Sequence, residues 1–231
     1  MLGLVLGIVA GVIAAVVVAV VVAVLVWRSA TGLVLRRMGA QPAPPGTFPR
    51  LDNVVEGLCA TFGLRVPALA VVDDPVPNSA AVGVNPRAAT LVVTRGLVEG
   101  MGLVELEAVV AHELAHIKRD DVVVLTIAAA VVGPVCTLTG SDRWMIRAIG
   151  SGREFVADDV AVTVVRYPPG LQRALEAMQS APPPGAGSLF AASGFRSLRH
   201  FFVDPDVGRR DREECAQLDA TAVRAAALAE R

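Results

Sequence analysis

The chain has 231 residues, with 21 Lys and Arg against 22 Asp and Glu and a formal charge of −1. Its basic residues are dispersed rather than massed into a stripe, which removes the electrostatic case for nucleic acid as a partner. Three cysteines, Cys59, Cys136 and Cys215, form no CxxC pair and cannot all pair within one chain, so they read as reduced thiols of a cytoplasmic domain.

From Met1 to Trp27 no side chain is charged, and Val, Ala, Leu, Ile and Gly account for almost everything. A helix of that length reaches about 40 Å, enough to cross a hydrocarbon core of about 30 Å with some tilt. A signal peptide fits poorly, because no basic region precedes the apolar run, the run is too long and no polar cleavage region follows. Arg28, Arg36 and Arg37 put three positive charges on the C-terminal flank. The positive-inside rule then places the remainder of the chain in the cytoplasm, as a single-pass protein of the cell membrane.

Residues 28–50 read as a juxtamembrane segment and linker, with four prolines and a glycine between Gln41 and Arg50 making a stiff tether. The folded region, 51–231, is long enough for one domain with a sizeable core. Val54, Val55, Leu58 and Phe62 space out a first helix, and Leu69 to Asp73 and Leu91 to Thr94 read as short strands. Leu171 to Met178 is a further helix, Pro182 to Ser188 a loop, and Asp211 to Arg231 a charged, alanine-rich terminal helix. Arg209, Arg210 and Arg212 form a small basic cluster that Asp206, Asp211, Glu213 and Glu214 offset.

Between these elements stands the most informative pentapeptide of the chain, His112, Glu113, Leu114, Ala115, His116. Two of the three histidines of the protein lie here, four residues apart. On a helix, positions at that spacing share a face about 6 Å apart, so both imidazoles can converge on one metal ion while Glu113 points around the helix toward a bound water. Leu106, Val110, Leu114 and Ile117 supply an apolar stripe, and Glu105, Glu107, Lys118 and Arg119 follow the order that the helix dipole favours. The histidines fall to one side of that stripe, on a half-buried face. The alternative is a pair of helix histidines satisfied by hydrogen bonds.

A catalytic zinc takes three protein ligands and an open fourth position. The best third donor is Glu154, with Asp158 one turn further on and placed to hold the non-coordinating nitrogen of His112. Taken alone, this acidic pair reads equally as a solvated helix face or an ion pair with Arg153. Val122 to Leu138 is nearly uncharged and borders on membrane-spanning length. His116 precedes it and Glu154 follows it, so a single crossing would put these ligands of one ion on opposite sides of the bilayer. The expectation is therefore no crossing, with a core helix bent near Gly133 and Pro134 that touches the membrane surface at most.

The run from Pro67 to Asp158 resembles the HtpX-like and CAAX-prenyl-protease-like zinc metallopeptidases, which are gluzincins. Pro77 to Gly83, the strand Leu91 to Thr94, Gly96 and Leu97, Leu106 to Ala111 leading into the pentapeptide, Ile117, Lys118, Asp121, and Arg153 to Asp158 carry the resemblance in the family order. It implies a mainly helical α+β fold, zincin-like, with a small sheet and the active-site helix. It also implies one zinc held by His112, His116 and Glu154, with Glu113 catalytic and Asp158 behind the ligands. Peptides or proteins are the implied substrates, in the quality control of membrane proteins. An aromatic common in that family is absent at Ala80. Its C-terminal His-Pro-Pro motif followed by arginine is also missing, where this chain reads Val203, Asp204, Pro205, Asp206 and then Arg209, Arg210. His200 is either a displaced equivalent or a packing residue, so no oxyanion stabiliser is assigned. An extended substrate is expected to add to a sheet edge near Ala81 to Val84. A non-proteolytic membrane scaffold or assembly factor that keeps the zinc site is the alternative function.

Overall fold

A computed structural model of the chain describes residues 2–139, 141, 143–150, 152–192, 195, 198–207 and 220–230, with side chains from residue 8 onward and without that of Arg143. The terminal helix expected from Asp211 is described as Thr221–Ala229; the Arg209, Arg210 and Arg212 cluster, its acidic neighbours from Asp211 to Glu214, and Cys215 lie outside the described residues.

The apolar N-terminus is one helix, α1 (Leu2–Arg37), and its stretch Ile8–Arg37 is long and apolar enough to cross a membrane. It does not stop at Trp27. Its last turns carry Ala30 and Val34, followed by Met38, all buried against the rest of the protein. The proline-rich stretch begins as a strand rather than a free tether: β1 (Gln41–Pro42) pairs antiparallel with β2 (Ala68–Val72). A proline suits a strand at a sheet edge, where its missing N–H leaves no ladder bond unmade. Pro49 then opens α2 (Pro49–Phe62), and Gly63 closes it in the left-handed conformation that favours glycine.

The sheet has the order β1-β2-β4-β3, with β2 and β4 (Thr90–Thr94) parallel and β3 (Ser79–Val82) antiparallel to β4. All five residues of β4 are buried, as a central strand covered on both faces requires. Thr94 accepts a hydrogen bond from Leu97 N and caps α3 (Arg95–Gly100). Gly96 has to be glycine here, because a Cβ would collide with the carbonyl of Pro75.

Side chains alternate across the sheet and build two cores. Ala81, Leu91 and Val93 face α2, α4 (Leu103–Lys118) and the helices around them. Ala70, Val72, Ala80, Val82 and Val92 face Val34 and Met38, α5 (Asp121–Val131), α6 (Gly133–Thr139), α7 (Arg143–Ile149) and a group of phenylalanines. The helix expected over Val122 to Leu138 is bent by 49°, with the break at Val132, just before the glycine and proline. It is half a core helix. Val122, Leu125, Ala129 and Cys136 are buried, whereas Val124, Val131, Val135 and Leu138 are exposed.

Candidate metal centre

α4 is enclosed by α2, by α8 (Arg153–Val165), by α9 (Pro168–Gln179) and by β3. Every residue from Ala108 to Ile117 is buried. The histidine face is thus fully buried rather than half-buried, because α8 and α10 (Thr221–Ala229) bring polar side chains over it.

His112, His116 and Glu154 offer ligand atoms that all lie within 4.8 Å of one another. The two Nε2 atoms are 3.2 Å apart, and Glu154 sets Oε2 3.2 Å from His112 Nε2 and Oε1 3.4 Å from His116 Nε2. On the far side of each ring a carboxylate holds Nδ1. Asp158 Oδ1 is 2.8 Å from that of His112, and Asp121 Oδ2 is 3.0 Å from that of His116. A proton kept on Nδ1 by a carboxylate leaves the Nε2 lone pair for a metal, so this donor set fits a divalent cation such as zinc. Asp158 takes the place that its spacing suggested.

Asp121 reaches His116 through a sharp turn. Asp120 adopts φ 62°, a left-handed conformation that Asp tolerates better than most residues, and α5 starts at once with Asp121 folded back over the end of α4. Glu113 lies between the ligands in sequence, and its Oε1 accepts a 2.7 Å hydrogen bond from Ser79 Oγ of β3. Its Oε2 is buried and has no hydrogen-bond partner among the described residues.

The residue that sequence reasoning missed is Arg224 of α10. Its guanidinium is fully buried and grips Asp158 through two 2.7 Å bonds, from Nε to Oδ2 and from Nη2 to Oδ1. Nη1 lies 3.4 Å from Glu154 Oε2 and donates to the carbonyl of Val203 at 2.6 Å. The close charged neighbours of Glu154 are therefore the imidazoles and Arg224. His200 sits in a short 3-10 turn, outside the ligand group.

Burial works against charge on every member of this cluster, and the neighbours decide the outcome. It pushes the His116 imidazole down, yet Glu154 and Asp121 raise it to about 10. His112 is likewise raised, by Asp158 and Glu154, against its own burial. Glu154 is held well below the ordinary carboxylate range and Asp158 at about 2, both against burial, chiefly by His116 and by Arg224 respectively. Glu113 goes the other way: burial raises it, and the two imidazoles and Ser79 only partly offset the shift.

The sheet edge expected to be open near Ala81 to Val84 is in use. Gly83 N donates to Thr126 Oγ1 at 2.9 Å and Val84 N to Thr31 Oγ1 at 3.3 Å. At the other end of β3, Val203 N donates to Ser79 O at 3.1 Å. The aromatic missing at Ala80 is matched by Phe202, which forms an antiparallel bridge with Ala80 and packs in the same core.

The chain is 33% identical over 183 residues to a "Protease HtpX homolog" of Dictyoglomus thermophilum, covering 65% of this chain and 60% of that protein. A "Protease HtpX homolog" of Caldanaerobacter subterraneus is 28% identical over 224 residues, 78% of this chain and 75% of the relative. One from Moorella thermoacetica is 39% identical over 122 residues, 53% and 41% of the two chains. The chain thus spans about 60% of the length of the first of these relatives. No solved structure matches it significantly. The profile of peptidase family M48 matches residues 45–180, more than half of the chain and the whole stretch from the proline-rich segment through Glu154 and Asp158, so this protein belongs to peptidase family M48.

Proposed function

We propose that this protein is a membrane-anchored, zinc-dependent endopeptidase, with residues 1–27 as the anchor, 28–50 as a docked connector and 51–231 as the peptidase domain facing the cytoplasm. The observation that carries the reading is the pairing of a convergent His112, His116 and Glu154 set with Glu113, whose buried Oε2 is unpartnered among the described residues. One zinc held by those three ligands would polarise the scissile carbonyl and lower the pKa of its water to about 7. Glu113 takes a proton from the attacking water at Oε2 and later delivers it to the leaving amine. Ser79 holds the other carboxylate oxygen and so fixes the direction in which Oε2 points. Asp158 and Asp121 hold the imidazoles in the tautomer that ligation requires. Orientation rests on Arg28, Arg36 and Arg37 beside the apolar run. His116 and Glu154 meet in one site, so the chain between them starts and ends on one side of any bilayer. An anchored site of this kind suits damaged membrane proteins as substrates.

The test is casein hydrolysis by the full chain purified in detergent, with zinc content measured in parallel. Hydrolysis should be lost to a chelator and restored by zinc. Glu113→Gln should lower it by about 10²- to 10⁴-fold with zinc content unchanged. Full zinc occupancy without any hydrolysis points instead to a scaffold that retains the metal.

A further inference from the structure

The proposed anchor and the folded domain leave no gap between them. Ala30 follows Trp27 by only about 4.5 Å along α1 and is already buried. Val34 and Met38 continue into the second core, and Arg37 Nη1 donates to the carbonyl of Ala129 on α5 at 3.3 Å. Thr31 and Thr126 take the N–H groups of consecutive residues, Val84 and Gly83, so α5 meets α1 about 6 Å beyond Trp27. With residues 1–27 in the bilayer, this part of the domain stands at the height of the lipid headgroups.

The surface it presents there is apolar. No residue from Val122 to Thr139 is charged. Leu125, Ala129, Cys136 and Met145 turn inward to the second core, whereas Val124, Val131, Val135, Leu138 and, on α7, Trp144 are exposed. The three helices pack on one another, so these exposed side chains belong to one outer layer rather than to separate parts of the surface. Apolar residues exposed singly are ordinary, but a group of them marks an interaction site. What occupies it follows from what lies alongside, since α5 packs on α1, whose own exposed residues from Ile8 to Leu25 are apolar. Tryptophan is enriched at the membrane interface, and the exposed Arg36 and Arg147 suit anionic headgroups.

We propose that the outer faces of α5 and α6, with Trp144 of α7, rest in the headgroup and upper acyl region of the bilayer that α1 crosses, as a second membrane contact that does not span it. The proposal rests on the anchor reading above. Depth is limited by the other contacts of α5. Asp121 at its start holds His116 Nδ1, and Thr126 holds the end of β3, so the helix cannot leave the domain to cross the membrane. The 49° bend also turns α6 away from the line that a straight span would continue. The domain is then held to the bilayer at two places and does not swing freely about Trp27.

The chain has two tryptophans, Trp27 and Trp144, so each can be made the sole reporter. The full chain is placed in vesicles of phosphatidylcholine and phosphatidylglycerol whose acyl chains carry bromine either near the headgroup or near the chain end. In Trp27→Phe, the shallow bromines should remove about half of the Trp144 emission, and the deep ones much less. No quenching by either overturns the proposal, since water or a second copy of the chain would then cover the patch. Stronger quenching by the deep bromines overturns it as well, because the segment would then lie in the hydrocarbon core. Val135→Asp combined with Leu138→Asp, added to Trp27→Phe, puts two charges at exposed positions and should reduce the Trp144 quenching about twofold. Unchanged quenching in that variant overturns the contact. Trp144→Phe leaves Trp27 to report on the anchor. Quenching of Trp27 without quenching of Trp144 counts against the second contact alone, whereas loss of both counts against the anchor reading on which it rests.

Discussion

On one face of the sheet, Ala81, Leu91 and Val93 meet α4, which carries an ionic cluster shared with its neighbours: two imidazoles, four carboxylates and a guanidinium. On the other face, Ala80, Val82 and Val92 meet Val34, Met38, Leu125, Ala129 and four phenylalanines. The face with the metal centre is specified by partners, so that loss of one group leaves another buried and charged. The second face is specified by apolar area, and some of that area belongs to the helix that also serves as the proposed anchor. Shared sheet residues hold the two together, and Phe202 and Val203 belong one to each.

The largest expected effect tests the second face. A chain starting at Ser29 keeps Ala30, Val34, Met38 and the β1 pairing, and a chain starting at Leu51 loses all of them. Val34 and Met38, both fully buried, each contribute roughly 1.5–3 kcal/mol. The shorter chain should thus be less stable by about 3–6 kcal/mol in denaturant unfolding in one detergent. Equal stability would mean that the anchor helix is not part of the core.

Arg224→Ala probes the face with the metal centre at its most dependent point. With the guanidinium gone, Asp158 is buried beside a second carboxylate, a change that should destabilise the fold by about 3–5 kcal/mol. Arg224→Lys should recover only part of this, since an ammonium cannot make the two parallel bonds that Nε and Nη2 make. The effect has a pH signature in the metal-free protein. Asp158 is held at about 2, against burial and chiefly by Arg224, below the unfolded value of about 3.9. A depressed carboxylate contributes stability above its unfolded pKa and loses it as the pH falls through the folded one. The gap between wild type and Arg224→Ala should therefore narrow between about pH 4 and pH 2. A constant gap from pH 5 to pH 2 would show that the ion pair is not its source.

Asp121→Asn is smaller. It leaves the ligands in place but removes the charge behind His116 Nδ1, and should weaken zinc binding by about 10- to 100-fold in a competition titration. An unchanged affinity would leave the His116 to Asp121 contact without a role in ligation.

The readable portion of this centre is the portion set by helix geometry. His112 and His116 share a face because they are four apart on α4, and Glu154 and Asp158 do the same on α8. Most elements follow from the same local periodicities, whereas the fold class is what the family resemblance implies. Arg224 was out of reach of such reasoning, since it meets Asp158 from 66 residues away. Its one local signal is the buried set Thr221, Arg224, Ala225 and Leu228, a helical stripe in which an arginine stands at a core position. Arg209 and Arg210, which follow Asp204 and Pro205 closely in sequence, lie outside the described residues. Asp121 was visible as a residue but not as a partner of His116, because the left-handed turn at Asp120 has no periodic signature. The short β1 strand hid among prolines that would ordinarily mark a linker.

The smallest effect separates the two sides of one helix. Leu138 is 87% exposed on α6, whereas Cys136, two residues earlier, is fully buried in the second core. Leu138→Ser removes apolar surface that is almost wholly exposed among the described residues, so stability in detergent should change by less than about 0.5 kcal/mol. Cys136→Ser is the smaller chemical change, yet it puts a hydroxyl among Val, Met and Phe side chains and should cost about 1–3 kcal/mol unless the hydroxyl finds a carbonyl. The order of these two effects follows from which side of α6 faces the sheet, not from how apolar the residue is. If Leu138→Ser were the more damaging, the outer side of α6 would have a partner within the protein, and the second face would be thicker than the core formed by Val34, Leu125 and Cys136.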